Sequence, residues 1–274
     1  MDLLPRAFVQ VAEGESSLTV MQWNMLADQL ANDFPAVNEE NLSWNFRRPR
    51  ILFEIERFNP DILCAEEVDH YADFLEPELI RLGYAGFFQK KPSWHRDGSA
   101  IFYKTNRFTV ISNEVCHFEG RNQFALGARL LDTWSNKEFY VYALHLKANK
   151  DYEDVRVNQI RSLIRHLEPI DYTKSLILCG DFNSLPENPA HLEMFNNQLG
   201  LRSAYRDIFS QGEVPYTTVK IRNSLQKKTE DYIWLRGFQI QSLLSIPSLE
   251  EIGPNGLPSP HYPSDHLSLA VRLI

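Results

Sequence analysis

The stretch SLILCGDFN, residues 175–183, begins as an apolar run and ends in polar residues. The segment from Ser175 to Cys179 is short and almost entirely apolar, as expected of a strand that is buried on both faces. Asp181 and Asn183 follow it two residues apart, so both side chains can point into one concave site. We predict that Asp181 orients a water molecule and that Asn183 donates to a phosphate oxygen; an Asx turn is the structural alternative.

Other polar residues stand at the ends of apolar runs in the same way. Apolar runs end at Asn24, Glu67 and His145, and other apolar runs begin directly after Asp231 and His266. If the closing residues end strands that point one way and the opening residues start strands that point the other way, all of them meet Asp181 at one sheet edge. We therefore expect one site built from six chain segments.

The rest of the chain predicts an α/β fold. Apolar residues recur at helical spacing up to Phe58 and again from Ile160 to Leu167. Residues 98–146 instead form four runs joined by turns, which predicts an antiparallel meander. We predict a sandwich of two mixed, largely antiparallel sheets in one domain, residues 18–274, after an N-terminal extension, residues 1–17.

The composition excludes several classes of protein. The length of 274 residues fits one large domain. No apolar run approaches the roughly 20 residues of a membrane span, so we expect no membrane partner. The formal charge of -8 disfavours a broad face for long nucleic acid, so RNA is a weaker candidate partner than a small phosphate ligand. Three cysteines without CxxC spacing indicate a reduced, intracellular protein.

The strand-end carboxylates are suited to a hard cation. Hydrolysis of a phosphate ester needs a cation to offset developing charge, an activated water and donors for the nonbridging oxygens. Glu67 is the predicted ligand for Mg²⁺, with Mn²⁺ as the alternative ion and with Asn24 and Asp265 as additional ligands. Glu66 competes with Glu67 for this role, and the sequence does not separate the two.

Two histidines are candidates for acid/base chemistry. His266 is predicted to stabilise or protonate the phosphate, with Asp231 fixing its tautomer and holding it cationic. His145 is the second candidate. The structural alternatives are a capped strand start for His266 and a hydrogen-bonded core imidazole for His145.

Several cations and amides are predicted to bind the substrate. Lys90, Lys147 and Arg222 lie near predicted loop mouths, where they can clamp a second phosphate by charge. Asn122 and Asn183 complete the predicted substrate contacts. Taken alone, each of these three cations is equally well explained as a surface charge without a role in binding.

Several motifs of the chain together resemble the endonuclease/exonuclease/phosphatase superfamily. The motifs are Gln22-Trp23-Asn24, Glu66-Glu67-Val68-Asp69-His70, Asp97-Gly98, His145-Leu146-Lys147, Gly180-Asp181-Phe182-Asn183, Asp231-Tyr232-Ile233-Trp234 and Ser264-Asp265-His266. The resemblance covers residues 18–274 and implies a four-layer αββα sandwich, Mg²⁺ at Glu67, and catalysis by Asp181, Asn183, Asp231 and His266. At Glu66 the family tends to carry glutamine.

Other strings are similar to one subgroup of the deadenylase branch of that superfamily. They are Pro215-Tyr216-Thr217-Thr218, Lys220-Ile221-Arg222, Ile252-Gly253-Pro254-Asn255 and Leu257-Pro258-Ser259. This resemblance implies removal of the 2′-phosphate of NADP⁺ and NADPH, with NAD⁺ and NADH as products and with Lys90, Lys147 and Arg222 holding phosphates. Asn149 stands where an arginine is expected, and Lys150 beside it is a point-charge substitute.

The alternative function is that of a poly(A)-specific 3′-exoribonuclease acting on mRNA tails. The expected partner is otherwise a small dinucleotide, and we predict no obligate protein partner. The expected location is the cytoplasm, with a mitochondrial address in an upstream segment as the alternative.

Overall fold

Two β-sheets organise the part of the chain that the computed structural model describes, residues 2–15, 18–92, 94–118, 122–208, 212–222 and 224–274. The first sheet has, in spatial order, β1 (Phe8–Gln10), β14 (Ile240–Leu244), β15 (Leu269–Leu273), β2 (Leu18–Asn24), β3 (Ile62–Val68), β5 (Gly98–Lys104) and β4 (Tyr84–Lys90). The second has β10 (Arg202–Ser203), β13 (Asp231–Arg236), β9 (Ser175–Asp181), β8 (Lys137–His145), β7 (Phe124–Asp132) and β6 (Phe108–His117). A separate hairpin joins β11 (Thr218–Ile221) to β12 (Leu225–Lys228).

The helices lie on the outer faces of the two sheets. They are α1 (Glu39–Leu42), α2 (Trp44–Phe58), α3 (Glu76–Arg81), α4 (Glu153–Leu167), α5 (Pro189–Phe195) and α6 (Leu249–Ile252), with a π-helical turn at Tyr71–Leu75 and 3₁₀ turns at Asp28–Leu30 and Lys150–Tyr152. Helix α2 ends at Phe58 and is capped by Asn59, which adopts a left-handed conformation (φ 45°) and donates its N–H to the Ile55 carbonyl. No helix in the described ranges is long and apolar enough to cross a membrane.

Three apolar layers hold these elements together. Between the sheets, Val20 and Cys64 of the first pack with Val141 and Cys179 of the second. Outside the first sheet, Ile51 and Ile55 of α2 cover Met21 and Leu63. Outside the second, Ile160 and Leu163 of α4 cover Tyr142 and Leu178. The predicted four-layer αββα sandwich with two mixed sheets is therefore confirmed.

The predicted meander is correct only for its last three strands. Strands β6, β7 and β8 pair in sequence, but β5 pairs with β3 and β4 in the other sheet. The turn at residues 105–107 looks like a hairpin in the sequence. Because both edges of β5 already have partners, the chain instead crosses to the second sheet there.

The last strand begins later than expected. We predicted that it starts at His266, but β15 begins at Leu269. His266 is held before the strand by an isolated antiparallel bridge to Thr218. The polar residues therefore sit in a supported loop.

The N-terminal segment takes part in the first sheet. Strand β1 pairs with β14, Leu4 is buried, and the Arg6 guanidinium donates to the Ser268 carbonyl at 2.6 Å. The described part of residues 1–17 thus packs on the domain that we predicted to begin at residue 18.

Candidate active site

The polar strand ends meet at one end of the sandwich. The parallel pairing of β8 with β9 places His145 opposite Asp181, and the antiparallel pairing of β9 with β13 places Asp231 on its other side. Asn24 ends β2 in the first sheet, and its Nδ2 donates to Asp181 Oδ2 in the second at 2.9 Å. The expectation of one sheet edge was wrong: the residues come from matching ends of two sheets, which only the packing of the sheets could reveal.

The structure separates Glu67 from Glu66. Glu67 accepts from Asn24 Nδ2 at 3.0 Å and from the Ala27 N–H at 3.1 Å, and it lies with His145 and Asp181 in a group whose ligand atoms are within 4.8 Å of one another. Glu66 is fully buried and bonds Gln22 Nε2 at 2.8 Å. Burial, with Cys64 and Asp231 nearby, raises the pKa of Glu66 well above its ordinary value. Glu67 is thus the carboxylate available to a cation.

A backbone irregularity produces this arrangement. Strict alternation along β3 would turn Glu66 toward the second sheet and Glu67 away from it. The register shifts between Ala65 and Val68, and Glu67 has a φ of 54°, which is uncommon for a residue with a side chain. The bulge therefore brings both glutamates to the same side at different depths.

Asp181 is a buried carboxylate at the centre of the cluster. It is 1% exposed, and its Oδ1 accepts from the Asn183 N–H at 2.8 Å, so the Asx turn is present. The Asn183 amide donates to the Leu146 carbonyl at 3.2 Å. Burial raises the pKa of Asp181 to about 7 against the attraction of His266. Without a bound metal, such a carboxylate is basic enough to take a proton near neutral pH.

The imidazole of His266 contacts the carboxylate of Asp231. Its Nδ1 lies 2.9 Å from Asp231 Oδ2, which also accepts from the Thr217 hydroxyl at 2.6 Å. Burial lowers the pKa of His266, but Asp231 and Asp265 outweigh it and raise the pKa to about 10. Without a bound metal the imidazole is therefore cationic at neutral pH, and its Nε2 is 3.8 Å from Asp181.

Two lysines that we did not predict touch the cluster. Lys91 Nζ lies 3.3 Å from His145 Nδ1, and Lys220 Nζ lies 3.4 Å from His266 Nε2 and forms an ion pair with Asp265. This ion pair already neutralises Asp265, the predicted additional metal ligand. A signal for Lys91 was its position, with Asp97, on either side of the turn that leads into Gly98.

The predicted substrate residues are spread around the cluster. Lys90 is exposed at the end of β4, and Asn122 is half-buried. Lys147 is half-buried with its Nζ over the Tyr152 ring, and Arg222 pairs with Asp33. The structure thus places these residues without testing their roles, which remain predictions.

Two clefts flank the site. One, of about 400 Å³, is lined by Glu67, Lys220, Arg222 and Asp265. The other, of about 560 Å³, is lined by Asn183, Asn149 and Lys150. Asn149 there caps a short 3₁₀ turn by accepting from the Asp151 N–H, so the residue that departs from the family pattern has a local structural role.

Known proteins are similar to this chain in sequence and in fold. A profile described as "Endonuclease/Exonuclease/phosphatase family" matches residues 21–266. The chain belongs to this family. It is 40% identical to nocturnin of Mus musculus over 94% of its own length, and it spans 66% of the mouse protein. The subgroup indicated by the sequence strings is thus nocturnin.

Solved structures agree with the family assignment. The catalytic domain of human nocturnin with a bound sulfate anion superposes with a TM-score of 0.83 at 35% identity, covering 98% of this chain and 96% of that one. ANGEL2 in complex with adenosine-2′,3′-vanadate gives 0.86 at 24% identity, with 99% of both chains covered, which supports the fold.

The residues present fit the divalent metal that enzymes of this family typically use. Glu67 and Asp181 bring two carboxylates together, and the raised pKa of Asp181 indicates a buried anion that lacks sufficient positive charge. Asn24 joins both and offers an amide oxygen. Oxygen ligands of this kind suit Mg²⁺.

Glu67→Gln should weaken Mg²⁺ binding at least about tenfold, because the amide removes a charged oxygen from the site. Calorimetric titration gives the Kd directly. Thermal unfolding offers a second measurement, because Mg²⁺ at about 100 times its Kd adds about 2.7 kcal/mol to the free energy of unfolding. Glu66→Gln is the matched control and should bind Mg²⁺ as the wild type does. Equal weakening in both variants would contradict the assignment.

Proposed function

We propose that this protein is a magnesium-dependent phosphohydrolase that removes the 2′-phosphate of NADP⁺ and NADPH. The observation that carries the proposal is the placement of Asp181 between His145 and His266, with Glu67 reached through Asn24. A buried base, a cationic imidazole and a hard-cation ligand are the parts that phosphate-ester hydrolysis requires.

Each side chain has a role in this reaction. Asp181 accepts a proton from the attacking water, whose oxygen forms the new bond to phosphorus. His266 donates from Nε2 to the phosphate as the P–O bond to the ribose breaks, while Asp231 keeps its Nδ1 protonated. The 2′ oxygen leaves with the electron pair of the broken bond as an alkoxide and takes a proton from solvent, while Asp181 returns its proton to solvent. Glu67 and Asn24 would hold Mg²⁺, which would supply charge stabilisation to the phosphate oxygens.

The substrate proposal rests on the flanking cations and on the relationship to nocturnin. Lys91, Lys147 and Lys220 place ammonium donors around the cluster in a chain of net charge -8, and two of them are ion-paired, Lys91 with Asp97 and Lys220 with Asp265. Arg222 adds a planar guanidinium in the cleft beside Glu67. A compact ligand with several phosphates suits these local charges better than a long polyanion does.

A direct comparison of substrates tests the proposal. The magnesium-loaded protein should release phosphate from NADP⁺ and NADPH, and chelation of the metal should stop the release. An adenylate oligomer, assayed in parallel, should keep its length. No phosphate release at saturating NADP⁺ and NADPH would contradict the 2′-phosphatase proposal.

One observation favours the poly(A) exonuclease as the second candidate. Trp94 is 78% exposed and stacks on His95, with ring centroids 4.2 Å apart. An exposed indole is a platform on which a base can stack. A yeast relative, 26% identical, is named as the CCR4-Not 3′-5′-exoribonuclease subunit. Shortening of the oligomer that Trp94→Ala weakens would favour this candidate.

A further inference from the structure

Arg6 is a buried arginine of the N-terminal segment that joins the ends of two strands. Its side chain has an exposed fraction of 0%. Nε donates to the carbonyl of Ser245, directly after β14, at 2.9 Å. The two Nη atoms donate to Ser268, directly before β15, reaching its carbonyl at 2.6 Å and its hydroxyl at 2.7 Å. The guanidinium thus links the two strands at the point where their own pairing has ended.

A buried carboxylate completes this cluster. Glu54 of α2 has a fully buried side chain and lies 3.4 Å from Arg6 Nη1. It accepts from the Ser268 hydroxyl at 3.0 Å and from the Tyr262 hydroxyl at 3.2 Å. The Tyr262 hydroxyl in turn accepts from the Ser268 N–H at 2.8 Å. Arg6 and Glu54 therefore hold Tyr262 and Ser268 together through charge-assisted hydrogen bonds.

The cluster holds both ends of the loop that carries His266. Tyr262 and Ser268 stand directly before and after residues 263–267, which lie outside the strands. Within the loop, the His266 carbonyl accepts from Trp23 Nε1 at 2.8 Å. His266 is thus fixed by a contact to β2 and by an anchor at Ser268, two residues further along the chain.

The N-terminal segment is bound to the same region by its main chain. The Leu4 N–H donates to the His261 carbonyl at 3.0 Å, next to the start of the loop. Arg6 and Ser268 both lie outside residues 21–266, the part of the chain that matches the family profile. The link between them is therefore not among the features that assign the chain to its family.

We propose that Arg6 is a positioning residue that sets the place of His266 in the active site through Ser268. The donors of a guanidinium have fixed directions, so Ser245 and Ser268 are held at one separation. A displacement of about 1 Å in a group that acts on the substrate costs on the order of 10² in rate. The placement of the loop follows from the hydrogen bonds, whereas its catalytic consequence rests on the proposed function.

Nuclear magnetic resonance reports on the loop without any substrate. The Trp23 indole N–H donates to the His266 carbonyl, so its ¹H and ¹⁵N shifts change when the loop is displaced. In ¹⁵N-labelled Arg6→Met the Trp23 indole signal should move. The indole signal of Trp134, which is 66% exposed, should stay in place. An unmoved Trp23 signal in folded Arg6→Met would overturn the proposal.

Kinetics separate positioning from a loss of stability. Arg6→Met should lower kcat about tenfold or more with the proposed substrate and leave KM within about twofold, because Arg6 lines neither cleft beside the site. Arg107→Met is the matched control. Arg107 has a side chain that is 3% exposed, and it pairs with Asp61 and Asp132 at the other end of the sandwich.

Both arginine variants should unfold at a lower urea concentration than the wild type, because each leaves a buried carboxylate with less positive charge. Arg107→Met should nevertheless keep the Trp23 indole signal and its turnover per folded molecule. An equal fall in kcat per folded molecule in the two variants would show that Arg6 acts through stability alone and would refute the proposal.

Ser268→Ala tests the same link if Arg6→Met does not fold. It removes the hydroxyl that accepts from Arg6 and donates to Glu54, and it leaves both charges in place. The Trp23 signal should move and kcat should fall about threefold or more; no change in either would contradict the proposal. If the Trp23 signal moves but the wild type releases no phosphate from NADP⁺ or NADPH, the placement of the loop by Arg6 stands and the proposed function fails.

Discussion

Asp181→Asn should lower kcat by a factor on the order of 10³ while making the metal-free protein more stable. The rate falls because an amide cannot take a proton from water, and a positioned general base contributes about 10² to 10⁴ in rate. The stability rises because a buried carboxylate is removed from a site with too little positive charge. A pKa of about 7 for Asp181 corresponds to roughly 4 kcal/mol of unfavourable interaction with the ionised form.

The gain in stability should depend on pH with a definite sign. Between about pH 4 and pH 7 the folded state holds a proton on Asp181 that the unfolded chain has released, so this group makes the free energy of unfolding fall as pH rises. In chelator, Asp181→Asn should therefore unfold at a higher temperature than the wild type at pH 8, and the difference should shrink toward pH 5. One hydrogen bond that the Asp181 carboxylate accepts is lost in the Asn variant, and this loss lowers the free energy of unfolding by only about 1 kcal/mol.

Asp132→Asn is the matched control for this prediction. Asp132 lies at the other end of the second sheet, where its carboxylate accepts two hydrogen bonds from Arg107, at 3.1 and 2.7 Å. Burial raises the pKa of Asp132, but the Arg107 guanidinium outweighs it and holds the pKa below its usual value. This variant should lose stability at neutral pH and keep its turnover per folded molecule. Unchanged turnover in Asp181→Asn would exclude Asp181 as the general base.

Asp231→Asn should lower kcat by about 10² to 10⁴ through its effect on His266. The carboxylate accepts from His266 Nδ1, from the Thr217 hydroxyl and from Gln22 Nε2. An amide has only one oxygen, so its NH₂ group would face one of these donors in place of an acceptor. The amide is also uncharged, so the imidazole loses its counterion. His266 then loses the main attraction that raises its pKa to about 10, and the cation at the site is lost.

This substitution should also destabilise the protein, in contrast to Asp181→Asn. The raised pKa of His266 contributes stability that is complete below about pH 6.5 and is lost as pH rises through about 10. In chelator at pH 6.5 we expect a loss of about 3 kcal/mol, measured by urea unfolding. Thr217→Val removes the hydrogen bond to the Asp231 carboxylate, and the two that its hydroxyl accepts from the main-chain N–H groups of Glu230 and Asp231, without changing charge. It should have a much smaller effect on kcat. Turnover within tenfold of the wild type in Asp231→Asn would show that the dyad is not used.

The choice between the two glutamates shows where sequence reasoning stops. The end of β3 was visible because apolar residues run directly into Glu66 and Glu67. The side that each side chain faces depends on the bulge at Glu67, where φ is 54° and the pairing with β5 shifts in register. A period of two along an ideal strand would have favoured Glu66.

The lysines illustrate the same limit. Lys90 and Lys91 are adjacent and chemically identical, and we predicted a role for Lys90. The strand places Lys90 in solvent, whereas the closed turn to Asp97 buries Lys91 against His145. Lys220 likewise acquires its partners, Asp265 and His266, from a distant part of the chain.

The run SLILCGDFN and the other apolar runs that border polar residues determined the buried strands, their polar ends and the residue types of the site. They could do so because the pattern of apolar residues and the polar residues that follow it are local properties of the chain. The tertiary structure alone decided that these ends belong to two facing sheets, which glutamate lies beside Asp181 and His145, and which lysine contacts His145. Those choices depend on strand register, on a bulge and on contacts between residues far apart in sequence. Asp181 is central because β8 and β13 flank it and Asn24 reaches it from the other sheet.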